Sequence, residues 1–289
     1  MPAVAEIVVR EAVVADLPEI AAVALATGQD EEWGGADPAY MTHLLAHGRV
    51  VVGVARGSVA GFGATRSLGS GPGAVSMLCD LFVDPGAHGS GCGRAMLAAL
   101  WPEAGGRRMT FSSLHANALP LYTSFGLDAW WPLLYVRGRV DALAAPAGWQ
   151  AAAASAAEVA AAELSWTGVD RSADHAAWAR RPGGAGVLAL RDGAVLAAGT
   201  AGGTADEFGV THLALAPAVD DSGAAAAVLA VLAGLRPQDG LARVCLPAPH
   251  PAVRPLLAAG WRVAEFDLFM ASEPGLADPR RAVPSPALA

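Results

Sequence analysis

The sequence predicts an α/β (α+β) fold that occurs twice in tandem, each time as a mixed, mostly antiparallel, twisted sheet flanked by helices. Three observations lead there. With 289 residues, 54% of them hydrophobic and 16% charged, the chain can bury two ordinary cores. Helical and β-rich segments follow the same order in both halves, the signature of an internal repeat. In each half a β-rich run passes through a proline-containing turn straight into a helix, at Asp84-Pro85-Gly86 and at Ala216-Pro217.

The first half opens with a strand at residues 7–10. A helix follows, its start marked by Asp16 and its apolar face by Leu17, Ile20, Val23 and Ala24. A second helix is expected over 38–47. Strands at 50–55 and 59–65 are joined by Arg56-Gly57-Ser58, a tight hairpin signal. A strand over 75–83, a helix over 91–100, a strand over 109–114, a short helix over 118–125 and a strand over 128–136 complete the unit. The second half repeats this with helices at 156–163 and 173–180 and strands at 187–190 and 195–200 about Asp192-Gly193. A strand over 208–215 and a helix come next, and Ala259-Gly260-Trp261 stands where Phe125-Gly126-Leu127 stood. The expected domains are residues 1–139 and 148–271, followed by a proline-rich tail, 272–289, expected as an arm on the surface.

Composition narrows the function classes. The net charge of −8 argues against a nucleic-acid partner, since phosphate binding draws on clustered basic residues. Mean hydropathy is +0.39, yet the longest apolar stretch, 223–235, is too short to span a bilayer, so no membrane role is expected. No signal peptide is readable, and the expectation is a cytoplasmic protein. All basic residues are arginine, as in a GC-rich bacterial genome. Cys79, Cys92 and Cys245 are too widely spaced for a disulfide framework, and His175, His212 and His250 too scattered to propose a metal.

Chemistry concentrates at Leu81-Phe82-Val83-Asp84-Pro85-Gly86-Ala87-His88-Gly89-Ser90-Gly91-Cys92-Gly93-Arg94, a strand, a glycine-rich turn and a helix start. Glycines let backbone approach a ligand, and the open N–H groups and positive end of the helix favour an anion. Arg94 can add a charged hydrogen bond to phosphate. A mere tight turn is the competing reading. No GK[ST] follows, so this is not a P-loop, and no acidic residue at a following strand end answers it as in a dinucleotide site.

The segment resembles the pyrophosphate loop of the GCN5-related N-acetyltransferase (GNAT) family, [RQ]-x-x-G-x-[GA] after a strand ending L-x-V, with His88-Gly89-Ser90-Gly91-Cys92-Gly93 after Leu81-Phe82-Val83. The family's second signature, N-x-x-A-x-x-L-Y-x-x-x-G-F, resembles residues 115–127, with Asn117, Ala118, Leu121, Tyr122 and Gly126. The resemblance covers about residues 5–138. It implies acetyl-coenzyme A as cosubstrate, Leu81, Phe82 and Val83 along its pantetheine arm, and His88, Gly89, Ser90, Gly91, Cys92, Gly93 and Arg94 as the pyrophosphate cradle. It also implies Tyr122 as the general acid that protonates the leaving thiolate; a half-buried core tyrosine is the alternative. Two positions depart from the pattern. His88 replaces the usual Arg or Gln, and His115 the usual Asn, with Asn117 two residues on as the helix cap instead.

Asp80 is the acidic residue nearest the acetyl site in sequence and a candidate general base through water; orienting substrate or pairing with an arginine are its other readings. His115 competes for the role. Cys92 lies in the pyrophosphate turn, away from the thioester, which discounts a covalent intermediate. Asp30, Glu31, Glu32 and Trp33 offer charge and an aromatic face to a cationic amine, or form an ordinary solvated loop. Trp130, Trp131 and Tyr135 line a pocket or fill a seam between domains.

The resemblance implies acetyl transfer to a primary amine, that of a small molecule, by direct attack in a ternary complex. The rival is a non-catalytic acyl-coenzyme A binding or regulatory module. In the second repeat, setting Pro217 against Pro85, an offset of 132, puts Asp220 and Asp221 opposite His88 and Gly89, and Ala226 opposite Arg94. Setting Gly260 against Gly126, an offset of 134, puts Leu256 opposite Tyr122. Two carboxylates and no acid make this repeat structural, covering the first or shaping the acceptor cleft. The chain is expected as a monomer, a pseudo-dimer of domains, or as a homodimer.

Overall fold

The structure is a computed structural model that describes residues 6–29, 38–102, 105–203, 208–237 and 239–288. By contacts it forms two compact units. One holds the described residues up to Thr110 with Thr123–Gly126, the other Phe111–Tyr122 with the described residues from Leu127 onward.

In the first unit, β1 (Ile7–Glu11), β2 (Arg49–Ala55), β3 (Ser58–Leu68), β4 (Val75–Val83) and β5 (Arg107–Ser112) lie in that order, antiparallel except for the parallel pair β4 and β5. The β2–β3 hairpin turns at Arg56 and Gly57, both at positive φ, the geometry that suits the twist of the strands. Helix α1 (Leu17–Ala26) begins after Asp16, whose carboxylate takes the Val13 N–H at 2.8 Å and both arms of Arg10 at 2.7 Å. Helix α2 is Ala39–His47 and α3 is Cys92–Leu100. Glycine brings α3 close to the sheet: a Cβ at Gly53 would meet Cys92 Sγ at 2.5 Å, and one at Gly61 would meet Met96 Cε at 2.9 Å. The alternate residues point to the other face, where the Phe62 and Phe82 rings sit 5.5 Å apart.

The second unit contains α4 (Ala118–Thr123), β6 (Asp128–Arg139), β7 (Trp149–Ala154), α5 (Ala156–Thr167), α6 (Ser172–Ala179), β8 (Ala185–Arg191) and β9 (Ala194–Gly202). It continues with β10 (Gly209–Leu215), α7 (Asp221–Gly234), β11 (Leu241–Pro247), α8 (Val253–Ala258) and β12 (Arg262–Ala271). Its strands run β12-β6-β11-β10-β9-β8-β7, with β10 and β11 parallel. The last strand of the first repeat, β6, is thus built between two strands of the second. There Trp131 stacks on Phe269 of β12 at 4.2 Å, with Phe111 beside both, while Trp130 is exposed and donates to the Ala271 carbonyl. Tyr135 donates to Asp267 at 2.7 Å.

Strand β7 has no counterpart in the sequence reading, because Ala151-Ala152-Ala153-Ala154 lacks the branched side chains that mark strands. The small residues answer to packing instead: a Cβ at Gly234 of α7 would meet Ala151 Cβ at 2.7 Å, and one at Gly186, paired with Ala154, would meet Val159 of α5 at 2.9 Å. Since Ala151 and Ala154 point to opposite faces, α7 and α5 cover opposite sides of this sheet. The expected strand signals also passed over β11 and α8.

The proline-rich tail has no buried residue over 272–282 and then packs into the second unit. Val283, Ser285 and Leu288 are buried at 1%, 3% and 2% exposure, and Leu213 of β10 pairs with Val283 in an antiparallel bridge. Among the described residues no helix is long and apolar enough to cross a membrane.

Candidate active site

Strand β4 is where the first repeat opens. Against β3, Ala64 pairs with Asp80 but Thr65 with Leu78, so Cys79 is an extra, bulged residue. On the other side the parallel pairing with β5 runs from Val75↔Arg107 only to Leu78↔Thr110, with Thr110 Oγ1 donating to the Leu78 carbonyl at 3.0 Å. Beyond that point β4 continues as Cys79–Val83 with no further pairing to β5 among the described residues. Asp80, just past the bulge, is buried and accepts the Tyr40 hydroxyl of α2 at 2.9 Å.

The chain then turns. Asp84 takes the Gly86 N–H on its carboxylate at 2.7 Å, and Ala87 N donates to the Asp84 carbonyl at 2.8 Å. Gly89 and Gly91 follow at φ +77° and +85°, and Gly91 caps α3 in a left-handed conformation. A Cβ at either glycine would meet nothing within 4 Å, so the turn is open there beside the first amides of a helix. Arg94 is exposed, with its guanidinium on Ser124 Oγ at 3.0 Å and over the Phe125 ring at 5.7 Å. These features fit a pyrophosphate.

Two residues of the loop carry other duties. The His88 ring bonds the Val83 carbonyl at 3.0 Å. Cys92 is buried with its thiol beneath Gly53, and burial pushes the thiol up from its ordinary value; its N–H faces Ser90 Oγ at 3.3 Å. Leu81, Phe82 and Val83 are half-buried along the parted edge.

Asn117 and Tyr122 fall in the other compact unit, on and just before α4, and are placed there alone. Tyr122 is buried, and its carbonyl accepts the Leu127 N–H at 3.2 Å. Asn117 precedes the helix and accepts the Leu121 N–H through its carbonyl, while the His115 ring accepts the Asn117 N–H. The His115 ring thus engages the residue just before α4. The carboxylates Asp30, Glu31 and Glu32 and the aromatic Trp33 lie outside the described residues.

The second repeat reproduces the backbone at the same offsets. Val210 pairs with Ala201 but His212 with Thr200, so Thr211 is bulged, 132 residues after Cys79. The parallel β10–β11 pairing ends at Val210↔Val244, the counterparts of Leu78 and Thr110. Val219 N donates to the Ala216 carbonyl as Ala87 N does to Asp84, and Trp261 N to Leu256 as Leu127 N does to Tyr122. Side chains differ. Asp220 caps α7 by accepting the Gly223 N–H at 2.7 Å, and Asp221 pairs with Arg280 of the tail. The Asp80 position holds His212, part of a buried cluster that the sequence did not signal.

In that cluster Glu163 of α5 binds His175 Nε2 at 2.7 Å and His212 Nε2 at 3.0 Å, with the Arg171 guanidinium 3.4 Å away. His175 Nδ1 meets Thr200 Oγ1 at 2.8 Å. Burial opposes charge on Glu163, but the two imidazoles and Arg171 hold its carboxyl far below the usual range. Burial, against the attraction of Glu163, pushes His212 below the ordinary imidazole value. The ligand atoms of the three residues lie within 4.8 Å of one another, the spacing of a metal site. A guanidinium beside the carboxylate competes for the same oxygens, and hydrogen bonding accounts for the arrangement.

Comparison with known proteins agrees with this geometry. Residues 11–127 match the model of the acetyltransferase (GNAT) family. No curated protein sequence matches the chain. Among solved structures the fold is similar to a GCN5-related glucosamine N-acetyltransferase region of a fungal multi-domain GH3 β-N-acetylglucosaminidase, with 13% identity and TM-score 0.64, covering 92% of this chain and 38% of that one. The chain thus spans well under half of that fungal protein. It is also similar to an acetyltransferase of Pyrococcus horikoshii, with 12% identity and TM-score 0.65 over 98% of this chain and 94% of that one. A third likeness is a tandem GNAT protein from the clavulanic acid biosynthesis pathway, with 16% identity and TM-score 0.61 over 94% of this chain and 100% of that one. Residues 11–127, less than half of the chain, thus match the acetyltransferase (GNAT) family, whose members use acetyl-coenzyme A and act on amine acceptors in general, and the chain carries that fold twice in tandem.

Proposed function

We propose that the chain is an N-acetyltransferase that moves the acetyl group of acetyl-coenzyme A to the primary amine of a small molecule by direct attack in a ternary complex. The observation that carries the reading is the continuous run in the first repeat from a bulged, parted strand into an open glycine cradle at a helix start. Residues 1–139 are the working repeat in this reading, 148–271 the degenerate one and 272–289 the tail. It takes the chain as a bacterial, cytoplasmic protein, a monomer whose repeats stand in for dimer partners, or a homodimer.

Acetyl-coenzyme A supplies the activated carbonyl as a thioester. The amides at the start of α3 and Arg94 would hold the pyrophosphate, and the backbone of Leu81 and Val83 the pantetheine. Asp80, a carboxylate oriented by Tyr40, takes a proton from the attacking amine through a water as the new C–N bond forms. As the C–S bond breaks, the Tyr122 hydroxyl gives its proton to the leaving sulfur. A backbone N–H near Phe82 or Val83 faces the oxygen on which charge develops.

One observation favours a second reading, an acyl-coenzyme A binder without turnover: the rings of His88 and His115, which replace the family's usual residues, are both engaged by the chain's own backbone. Calorimetric titration with acetyl-coenzyme A, followed by thiol release in the presence of amines, separates the two. Binding at one site, lost in Gly91→Glu, with turnover supports the enzyme; the same binding without turnover on any amine supports the binder. No binding to the folded protein overturns both.

A further inference from the structure

We propose that the cleft of the second repeat is a peptide-binding groove, and that its ligand is the chain's own C-terminal segment, residues 278–288, a peptide led by two arginines. The inference does not depend on what the first repeat binds.

Where β10 and β11 part after Val210↔Val244, β10 runs on alone to Leu215, leaving a row of backbone groups on that edge. Leu213 already pairs with Gly199 of β9 on one side. On the other its N–H donates to the Val283 carbonyl at 3.0 Å, so the tail adds a strand residue to the opened edge, as recognition peptides do. The turn that follows β10 offers carbonyls, and Arg281 takes two of them, donating to Ala216 at 2.7 Å and to Val219. By register these are the carbonyls of Asp84 and Ala87 in the first repeat. The helix start then presents Asp221, which Arg280 pairs through Nε at 2.9 Å, drawing that carboxyl below its ordinary value.

The charges are therefore reversed. Where the first repeat has glycines and Arg94 for an anion, the second has the Asp221 carboxylate for a cation, and a peptide of opposite sign fills it. The rest of the segment is seated as a ligand is. Val283, Pro284, Ser285 and Leu288 are buried, and the Leu288 carbonyl accepts from Arg171 at 3.0 Å. Asp278 prepares the approach by taking the Arg280 N–H on its carboxylate and the Arg281 and Ala282 N–H groups on its carbonyl, which sets the two arginines side by side. Three prolines, at 279, 284 and 286, restrict the backbone before it docks and lower the entropy lost on binding. Tethering holds it at an effective concentration of order millimolar, so a free peptide competes poorly with the intact tail.

The test uses the full chain. In Arg280→Asp/Arg281→Asp/Val283→Asp the tail loses its anchors and the groove is freed. A fluorescent peptide of residues 277–288 is expected to bind this variant one to one, at least about tenfold tighter than it binds the unaltered chain. Adding Asp221→Arg to the variant should weaken the peptide again by about tenfold, the effect of removing a charged hydrogen-bond partner. Equal binding to both chains, or none to the folded variant, overturns the proposal. A second measurement needs no variant: in the native chain trypsin should cut the Arg281–Ala282 bond at least a hundredfold more slowly than in the free peptide, on the order of a docked segment's protection. Cutting at the free-peptide rate overturns the docking, and protection that fades on dilution together with a dimer overturns the assignment to the chain's own tail.

Discussion

The two clefts share a backbone and differ in what fills them. In the first repeat the bulge at Cys79 frees an edge that leads to Gly89, Gly91 and Arg94; in the second the bulge at Thr211 frees an edge that Val283 takes, beside Asp221 and Arg280. Pairing registers, turn hydrogen bonds and the parting of parallel strands recur at offsets of 132 and 134, so main-chain architecture outlasts the chemistry grafted on it. What differs is a handful of side chains, Gly89, Gly91 and Arg94 in the first repeat against Asp221 and Arg280 in the second.

Tyr122 and Leu256 offer the sharpest break. If Tyr122 donates the proton to sulfur, Tyr122→Phe should lower kcat by about a hundredfold to ten-thousandfold, with acetyl-coenzyme A affinity within about threefold. Steady-state thiol release and calorimetry measure the two. Unchanged turnover would make Tyr122 a core residue like its counterpart Leu256, which is fully buried.

Asp80 and His212 occupy equivalent positions with opposite expectations. Asp80→Asn should cost about a hundredfold in turnover and about 1 kcal/mol or less in stability. His212→Asn instead strips a partner from buried Glu163 and should cost about 3 kcal/mol in denaturant unfolding. A reversal of the two phenotypes would place the chemistry in the second repeat.

Acid should also act first on the second repeat. Burial and the nearby Arg280 press His250 down to about 4, while its Nδ1 accepts the Ala252 N–H at 3.1 Å. Between that value and the unfolded imidazole near 6.5 the unfolded chain binds the extra proton, so stability is full above about pH 6.5 and falls toward pH 4 by about 3 kcal/mol. His212 is shifted the same way and adds to the slope. Urea midpoints across this range check it, and His250→Gln should flatten the curve; a flat curve in the native chain would mean His250 reaches water.

Local signals carried most of the fold. Hairpins at Arg56-Gly57 and Asp192-Gly193, the proline turns and the glycine-rich loop are short-range and were legible. What escaped depended on distant partners. Alanine-built β7 is a strand because α7 and α5 press on its two faces, and no property of four alanines states that. Glu163, His175 and His212 meet only once α5, α6 and β10 have packed, and the tail's prolines look alike whether they lie in solvent or in a groove. Ser124 as the seat of Arg94 was invisible for the same reason, thirty residues apart in sequence.

Tyr40 is the smallest test and the one that tells positioning from packing. Its hydroxyl, from a helix forty residues upstream, donates to Asp80 at 2.9 Å and thereby favours the ionised carboxylate, while the carboxylate position in the second repeat is taken by a histidine tied to Glu163. Removing that hydrogen bond in Tyr40→Phe should lower kcat/KM by about fivefold to tenfold, the worth of about 1 kcal/mol, and should cost nothing further once Asp80→Asn has removed the carboxylate. A packing role alone would lower stability and leave turnover by the folded protein in place. If turnover does not change, Tyr40 does not orient the base, and the base must be sought among the acceptor-side residues, with the first repeat then closer to the second than its open cradle suggests.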